Sequence, residues 1–166
     1  EDQQVIQSQG FKDVRVLTQA TFEGVKLTKT GGQHGTDAMY DFPKLKAELG
    51  EAMGVVFEAV GHETVYVAGD TIWRSEVDQA IQTFKPDVIV LNAGNALISG
   101  FKESIIMGKE DIYRATQEAP NAKVVAVHMD AINHMSLTRA QLAEYVKDKE
   151  IQDKVLIPID GETLSF

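Results

Sequence analysis

Apolar positions along the chain alternate between two rhythms. Short runs dense in β-branched residues predict strands at Val14–Leu17, Val25–Thr28, Val55–Val60, Thr64–Ala68, Val88–Asn92, Val124–His128 and Val155–Ile159. Between the later runs the period lengthens to that of a helix. From Ser75 to Phe84, Val77, Ile81 and Phe84 fall on one face, and Pro86 closes the segment. From Lys109 to Ala119, Ile112, Ala115 and Ala119 align ahead of Pro120. A third helix begins at a capping box formed by Thr138 and Gln141, with Leu142, Tyr145 and Val146 as its apolar stripe.

Turn residues connect these runs. Gly61-His62-Glu63 predicts a hairpin from Val55 to Ala68, and Asp160-Gly161 predicts a short closing hairpin between Val155-Leu156-Ile157-Pro158 and Glu162–Phe166. Hairpins come first and strand–helix alternation follows, so the expected architecture is α/β, a mixed sheet with helices on one side. The longest irregular stretch runs from Gly31 to Gly50, and loops of that length in compact domains are functional or mobile. No repeat, low-complexity tract or linker divides the chain, which predicts a single domain over 1–166.

Composition narrows the function classes. Hydrophobic residues make up 43% and charged residues 25%, the balance of a globular protein with a real core. A net charge of −9 with scattered basic residues argues against nucleic acid or an anionic membrane as the main partner. The absence of cysteine excludes disulfides and thiolate zinc sites, and agrees with a cytoplasmic location. No apolar run is long enough to span a bilayer. The chain opens on Glu1 rather than Met, which predicts a processed chain or a piece of something longer.

Candidate chemistry gathers where strands meet loops. Asp70 ends the run Val65-Tyr66-Val67-Ala68 in a Gly69-Asp70-Thr71 turn, where a carboxylate needs a hydrogen-bond partner or a metal. An aspartyl-phosphate nucleophile would want a second carboxylate two residues on, where Ile72 stands. Turn or capping duty is the structural alternative, with Ser75 as a competing cap for the following helix. His34 lies in Thr30-Gly31-Gly32-Gln33-His34-Gly35-Thr36, where flanking glycines leave the imidazole unscreened. The alternatives there are a surface histidine or a phosphate loop, and no Lys-Ser/Thr pair supports the latter. His128 ends another apolar run and reads either as a ligand or as a core histidine satisfied by a carbonyl. His134 follows six residues later, outside the spacing of a two-histidine metal helix, and suits substrate contact or plain loop polarity. His62 sits in a hairpin turn, and Asn92-Ala93-Gly94-Asn95 reads as a turn that could line a pocket. No nucleophile elbow and no dinucleotide-binding glycine motif occurs.

The order of these pieces resembles the metallo-β-lactamase superfamily, and more narrowly its branch that includes ascorbate-6-phosphate lactonase. Three further stretches carry the resemblance: Phe57-Glu58-Ala59 with Thr64–Thr71, Ile106-Met107-Gly108-Lys109-Glu110-Asp111, and His128-Met129-Asp130-Ala131-Ile132-Asn133-His134. The resemblance implies part of an αββα sandwich. It implies that His34 ligates a first metal, that Asp70 bridges two, and that His128 ligates the second, with His134 contacting substrate or protonating the leaving group. Two zinc ions are the implied cofactors, with manganese or iron suited to the same ligands. A carboxylate between two cations about 3.5–4 Å apart suits hydrolysis by a metal-bound hydroxide.

The family's His-x-His-x-Asp-His signature is absent, and the four histidines leave each metal with two protein ligands. The resemblance therefore implies a C-terminal portion, with Glu1–Val14 as the helix and strand that follow the other half. The expected function is a metal-dependent hydrolase acting on a small-molecule ester, lactone, amide or phosphodiester, its site completed from outside this chain. Association with the missing half, or homo-oligomerisation, would cover the exposed sheet. The competing expectation is a non-catalytic binding module that keeps the fold without a complete metal site. An α/β phosphotransferase is disfavoured by the missing phosphate loop and the lone carboxylate.

Overall fold

The computed structural model of the protein describes residues 2–130 and 132–166. Glu1 and Ala131, the latter inside the His128–His134 motif, lie outside the described residues. After α1 (Asp2–Ser8), two antiparallel strands β1 (Gln19–Phe22) and β2 (Val25–Gly31) form a hairpin. The short helices α2 (Asp37–Tyr40) and α3 (Pro43–Leu49) precede β3 (Met53–Glu58) and β4 (Val65–Val67). The chain then alternates through α4 (Ser75–Phe84), β5 (Val88–Asn92), α5 (Lys109–Glu118), β6 (Lys123–Val127), α6 (Arg139–Asp148) and β7 (Val155–Leu156).

The strands form one seven-stranded sheet in sequence order, β1 to β7. Its first half is antiparallel through β4, and β4 to β7 run parallel. This is the mixed sheet that the hairpins-then-alternation pattern predicts. Helices α4, α5 and α6 pack Val77, Ile81, Ile112, Ala115, Leu142 and Val146 into the main core. They meet Val56, Tyr66, Ile89, Leu91, Val124 and Ala126 from the alternate positions of the central strands. At about 25 cal/mol per Å² of apolar surface, that layer supplies the main driving force for folding.

The opposite sheet face is apolar too, but few side chains cover it. By register, Leu27 pairs with Phe57, Val55 with Val67, and Val67 with Val90. Leu27, Val55, Phe57, Val65, Val67 and Val90 are all half-buried, and Phe22 at the edge is 61% exposed. A second, smaller core of Met39, Ala96, Ile105 and Ile106 joins α2 to the β5–α5 connection.

Several sequence expectations need correction. Val14–Leu17 is not a strand: it has no partner in the sheet, and Val16 is 74% exposed. The strand actually present there is β1, whose Gln-Ala-Thr-Phe alternation is only four residues long and whose residues are all exposed. Its existence rests on the turn at Glu23 and Gly24, both at positive φ, the conformation that suits a tight hairpin. The predicted closing hairpin does not form. β7 stops at Leu156, and the tail beyond it is held by Arg139, whose Nε donates to the Pro158 carbonyl. The stretch from Gly31 to Gly50 contains α2 and α3 rather than being irregular throughout. Helix α4 is capped at Arg74, and Ser75 is its first helical residue rather than its cap.

Candidate metal centre

Strand direction explains why residues far apart in sequence meet. β4, β5 and β6 are parallel, and β2, antiparallel to β3, runs in the same sense as β4. The carboxyl ends of all four strands therefore lie along one edge of the sheet. Asp70 follows β4, Asn92 ends β5, His128 follows β6, and His34 lies in the loop after β2. Ligands in open α/β sheets gather at this edge.

The loop carrying His34 is fastened to the turn carrying Asp70. Thr71, fully buried, accepts the Gln33 amide at 2.9 Å through Oγ1 and donates to the Ile72 carbonyl at 2.8 Å. The Ile72 amide donates back to the Gln33 carbonyl at 2.9 Å. Gln33 reaches on to Asp37 at 2.8 Å, and Asp37 pairs with Arg74 at 2.8 Å. Gly69 sits at φ +75, and a Cβ there would run into the Met53 carbonyl, so only glycine lets the chain turn into Asp70.

The His128 side of the site is strained and braced. His128 and Asp130 occupy the left-handed region at φ 62 and φ 59, and Asn95 at φ 48 does so in the neighbouring loop. Such non-glycine conformations cost on the order of 1–3 kcal/mol each and persist where surrounding structure enforces them. Here the Ala93 amide donates to the Val127 carbonyl at 2.9 Å, and Asn95 donates to Ser136 Oγ at 2.6 Å. The Arg139 amide donates to Asp130 Oδ2 at 3.1 Å. A Cβ on Gly94 would strike the His128 carbonyl, so the two loops touch through backbone.

His128 Nε2 faces Asp70 Oδ1 at 3.8 Å, too far for a hydrogen bond. Two donors each about 2.0–2.2 Å from one cation span at most about 4 Å, so this gap admits a shared ion. Burial, foremost, holds the His34 imidazole below its ordinary value, while the Asp70 carboxylate acts in the opposite direction. His128 and His134 also lower it, so His34 lies within electrostatic reach of Asp70, His128 and His134. A histidine kept neutral is the form that can ligate a metal. His134 itself is exposed, and its carbonyl accepts the Leu97 amide at 3.0 Å. His62 stands apart, exposed in the turn between β3 and β4.

Two imidazoles and a carboxylate fit a divalent cation in kind. In number they fall short. Among the described residues no group of three or more histidine, aspartate or glutamate side chains gathers tightly enough to hold an ion.

No protein-family model matches the chain. The UPF0173 protein YddR of Bacillus subtilis is 41% identical over 99% of this chain and 63% of its own length. The chain is similar to this UPF0173 protein over nearly its whole length. Among solved structures, a possible metal-dependent hydrolase from Veillonella parvula matches this chain with a TM-score of 0.97 and 47% identity, over 99% of this chain and 63% of the other. An isothiocyanate hydrolase from Delia radicum gut bacteria matches with a TM-score of 0.93 and 45% identity, over 98% and 63%. The metallo-β-lactamase fold protein YhfI of Bacillus subtilis, at 13% identity, covers 97% of the chain and 59% of its own with a TM-score of 0.64. The chain has the metallo-β-lactamase fold, as the order of motifs implied. The chain spans 63% of the length of YddR and of the Veillonella parvula and Delia radicum proteins.

Sequence reasoning named Asp70, His34 and His128 as candidate ligands but read Asn92 only within a turn that could line a pocket; its Nδ2 donates to Asp70 Oδ1 at 2.6 Å. The available signal was a polar residue ending the apolar run Val88–Leu91, the same signal that singled out Asp70 and His128.

Proposed function

We propose that this chain is the C-terminal portion, one domain over 1–166, of a metal-dependent hydrolase, with His34, Asp70 and His128 as its metal ligands. The observation that carries the reading is the approach of His128 Nε2 to Asp70 Oδ1 at 3.8 Å, beside His34, at the carboxyl ends of parallel strands. These three residues would hold divalent ions, with Asp70 shared between two, zinc by preference and manganese or iron as substitutes. A divalent metal bound there supplies a polarised electrophile and an acidified water. The remaining ligands come from outside these residues. The half-covered sheet face on the same side as Asn92 is the surface against which that further chain packs, or against which a second copy associates.

The substrate is a small molecule with an electrophilic carbon or phosphorus centre. The 45% identity to an isothiocyanate hydrolase puts isothiocyanates first among substrates to try, ahead of esters, lactones, amides and phosphodiesters. Hydrolysis of an isothiocyanate adds one water at the central carbon, breaks the C–N bond and yields an amine and carbonyl sulfide. The leaving nitrogen must gain protons, and His134, exposed in the loop after β6, is our candidate to deliver one.

The complete protein, loaded with zinc or manganese, tests this on a panel of those substrate classes. Turnover that disappears in Asp70→Ala together with bound metal supports the reading. A metal-loaded protein inactive on every class, or full activity in Asp70→Ala, sinks it. A second reading draws on the shortage of donors: a non-catalytic module that keeps the fold. Metal analysis of the complete protein after dialysis separates the two, because the module retains no stoichiometric metal.

A further inference from the structure

We infer that Asn92 is a positioning residue for the Asp70 carboxylate and sets how tightly the site holds its cation. The inference rests on the metal-dependent reading above.

Asn92 closes β5 opposite Val127 of β6, half-buried, on the sheet face away from helices α4 to α6. Its side chain meets Asp70 across β4 and β5 at 2.6 Å. An ionised carboxylate offers only acceptors, so the amide must turn its NH2 toward Asp70 and its oxygen away. An amide has no proton to lose at working pH, so the donor persists wherever the metal ligands are deprotonated.

The oxygen that Asn92 engages is Oδ1, the one facing His128 Nε2. A carboxylate oxygen carries two lone-pair sites. With one taken by Asn92, the other and those of Oδ2 would remain for a cation held with His128 and His34. The hydrogen bond fixes the carboxylate plane before metal arrives. Partners of this kind orient metal ligands, and losing one typically weakens metal binding by about 10–100-fold.

The test uses the complete protein and Zn2+ and Mn2+ titrated against a chromophoric chelator. In Asn92→Leu, close in volume but without a donor, affinity for at least one metal equivalent should fall about 10–100-fold. The absorption spectrum of the cobalt-substituted protein should change, while the unfolding temperature of the metal-free protein stays near that of the wild type. Should the leucine variant fail to fold, Asn92→Ser, too short to span to Asp70, carries the same expectation. Asp70→Asn, measured in parallel, tests the underlying reading by losing metal. Unchanged affinity and cobalt spectrum at position 92, with metal lost in Asp70→Asn, overturn the positioning role alone. A wild-type protein that binds no metal overturns both.

Discussion

The main-chain amide of Gln33 donates to the Thr71 hydroxyl at 2.9 Å, tying the loop that bears His34 to the turn that bears Asp70. Two sequence-distant candidate ligands are thereby held by one buried side chain, which touches neither of them through its hydroxyl.

Thr71→Val should expose the value of that link. Valine keeps the shape but leaves the Gln33 amide without its acceptor, a loss of about 1–3 kcal/mol. At about 2–4 °C per kcal/mol for a domain of this size, thermal unfolding should shift down by several degrees. The same variant should weaken metal binding in the complete protein, because the His34 loop is released from Asp70. An unchanged midpoint would show that the two loops are held by other contacts.

Gly69→Ala combines a positive φ with a Cβ directed at the Met53 carbonyl. The strain should cost more than the ~1 kcal/mol that separates alanine from glycine at permissive positions. Denaturant unfolding of Gly69→Ala beside Gly100→Ala gives the comparison, since Gly100 has positive φ but nothing within 4 Å of the added carbon. Equal costs in the two variants would remove the steric argument.

How much of this was legible beforehand varies with the physical origin of each element. Helices α4, α5 and α6 and strand β5 follow from local signals: apolar period, the Thr138–Gln141 box and the prolines. β1 was missed because a four-residue alternation is too short to stand out, and the strand is defined by its pairing with β2. Val14–Leu17 shows the converse, where β-branched density met no neighbour to pair with. Among the site residues, Asp70, His34 and His128 were identified by residue type at the ends of apolar runs. Asn92 shared the strand-end signal but was read only as a turn residue, because its partner Asp70 lies across the neighbouring strand.

Asp111 gives a pH-dependent prediction remote from the candidate metal centre. Its carboxyl is raised above the ordinary aspartate value, foremost by burial, against a hydrogen bond from the Gly108 amide at 2.9 Å. A raised carboxyl favours the folded state when protonated, below its ordinary value, and that advantage is lost as pH rises through the folded value. Asp111→Asn removes the charge and keeps an acceptor for Gly108. Its stability relative to wild type should therefore improve between about pH 4 and pH 7. Urea unfolding across that range checks it, and a flat difference would refute the buried-charge argument.

Arg139 anchors the tail by donating to the Pro158 carbonyl at 3.1 Å and pairing with both Asp130 and Asp160. Arg139→Met should free residues 157–166 for faster hydrogen exchange and proteolysis, at a global cost of about 1–2 kcal/mol. Protection of the tail equal to wild type would mean that Arg139 is not its anchor.

The half-covered sheet face around Val55, Phe57, Val67 and Val90 predicts the behaviour of the 166-residue chain on its own. Contiguous apolar surface of this kind drives association, so light scattering should report dimers or larger species. Phe57→Lys in the middle of the face should shift that distribution toward monomer. A monodisperse wild-type monomer would show that the face is tolerated in water.

Bringing His34, Asp70 and His128 together only at strand ends has an evolutionary consequence. Their intervals along the chain are measured through helices α2 to α5, which lie between the strands rather than in the site. Lengthening or trimming a helix away from that edge changes the interval and leaves the strand ends in place. Descendants of this fold can therefore drift in spacing while conserving their chemistry, so what must persist is the order of the donors and the strands that carry them.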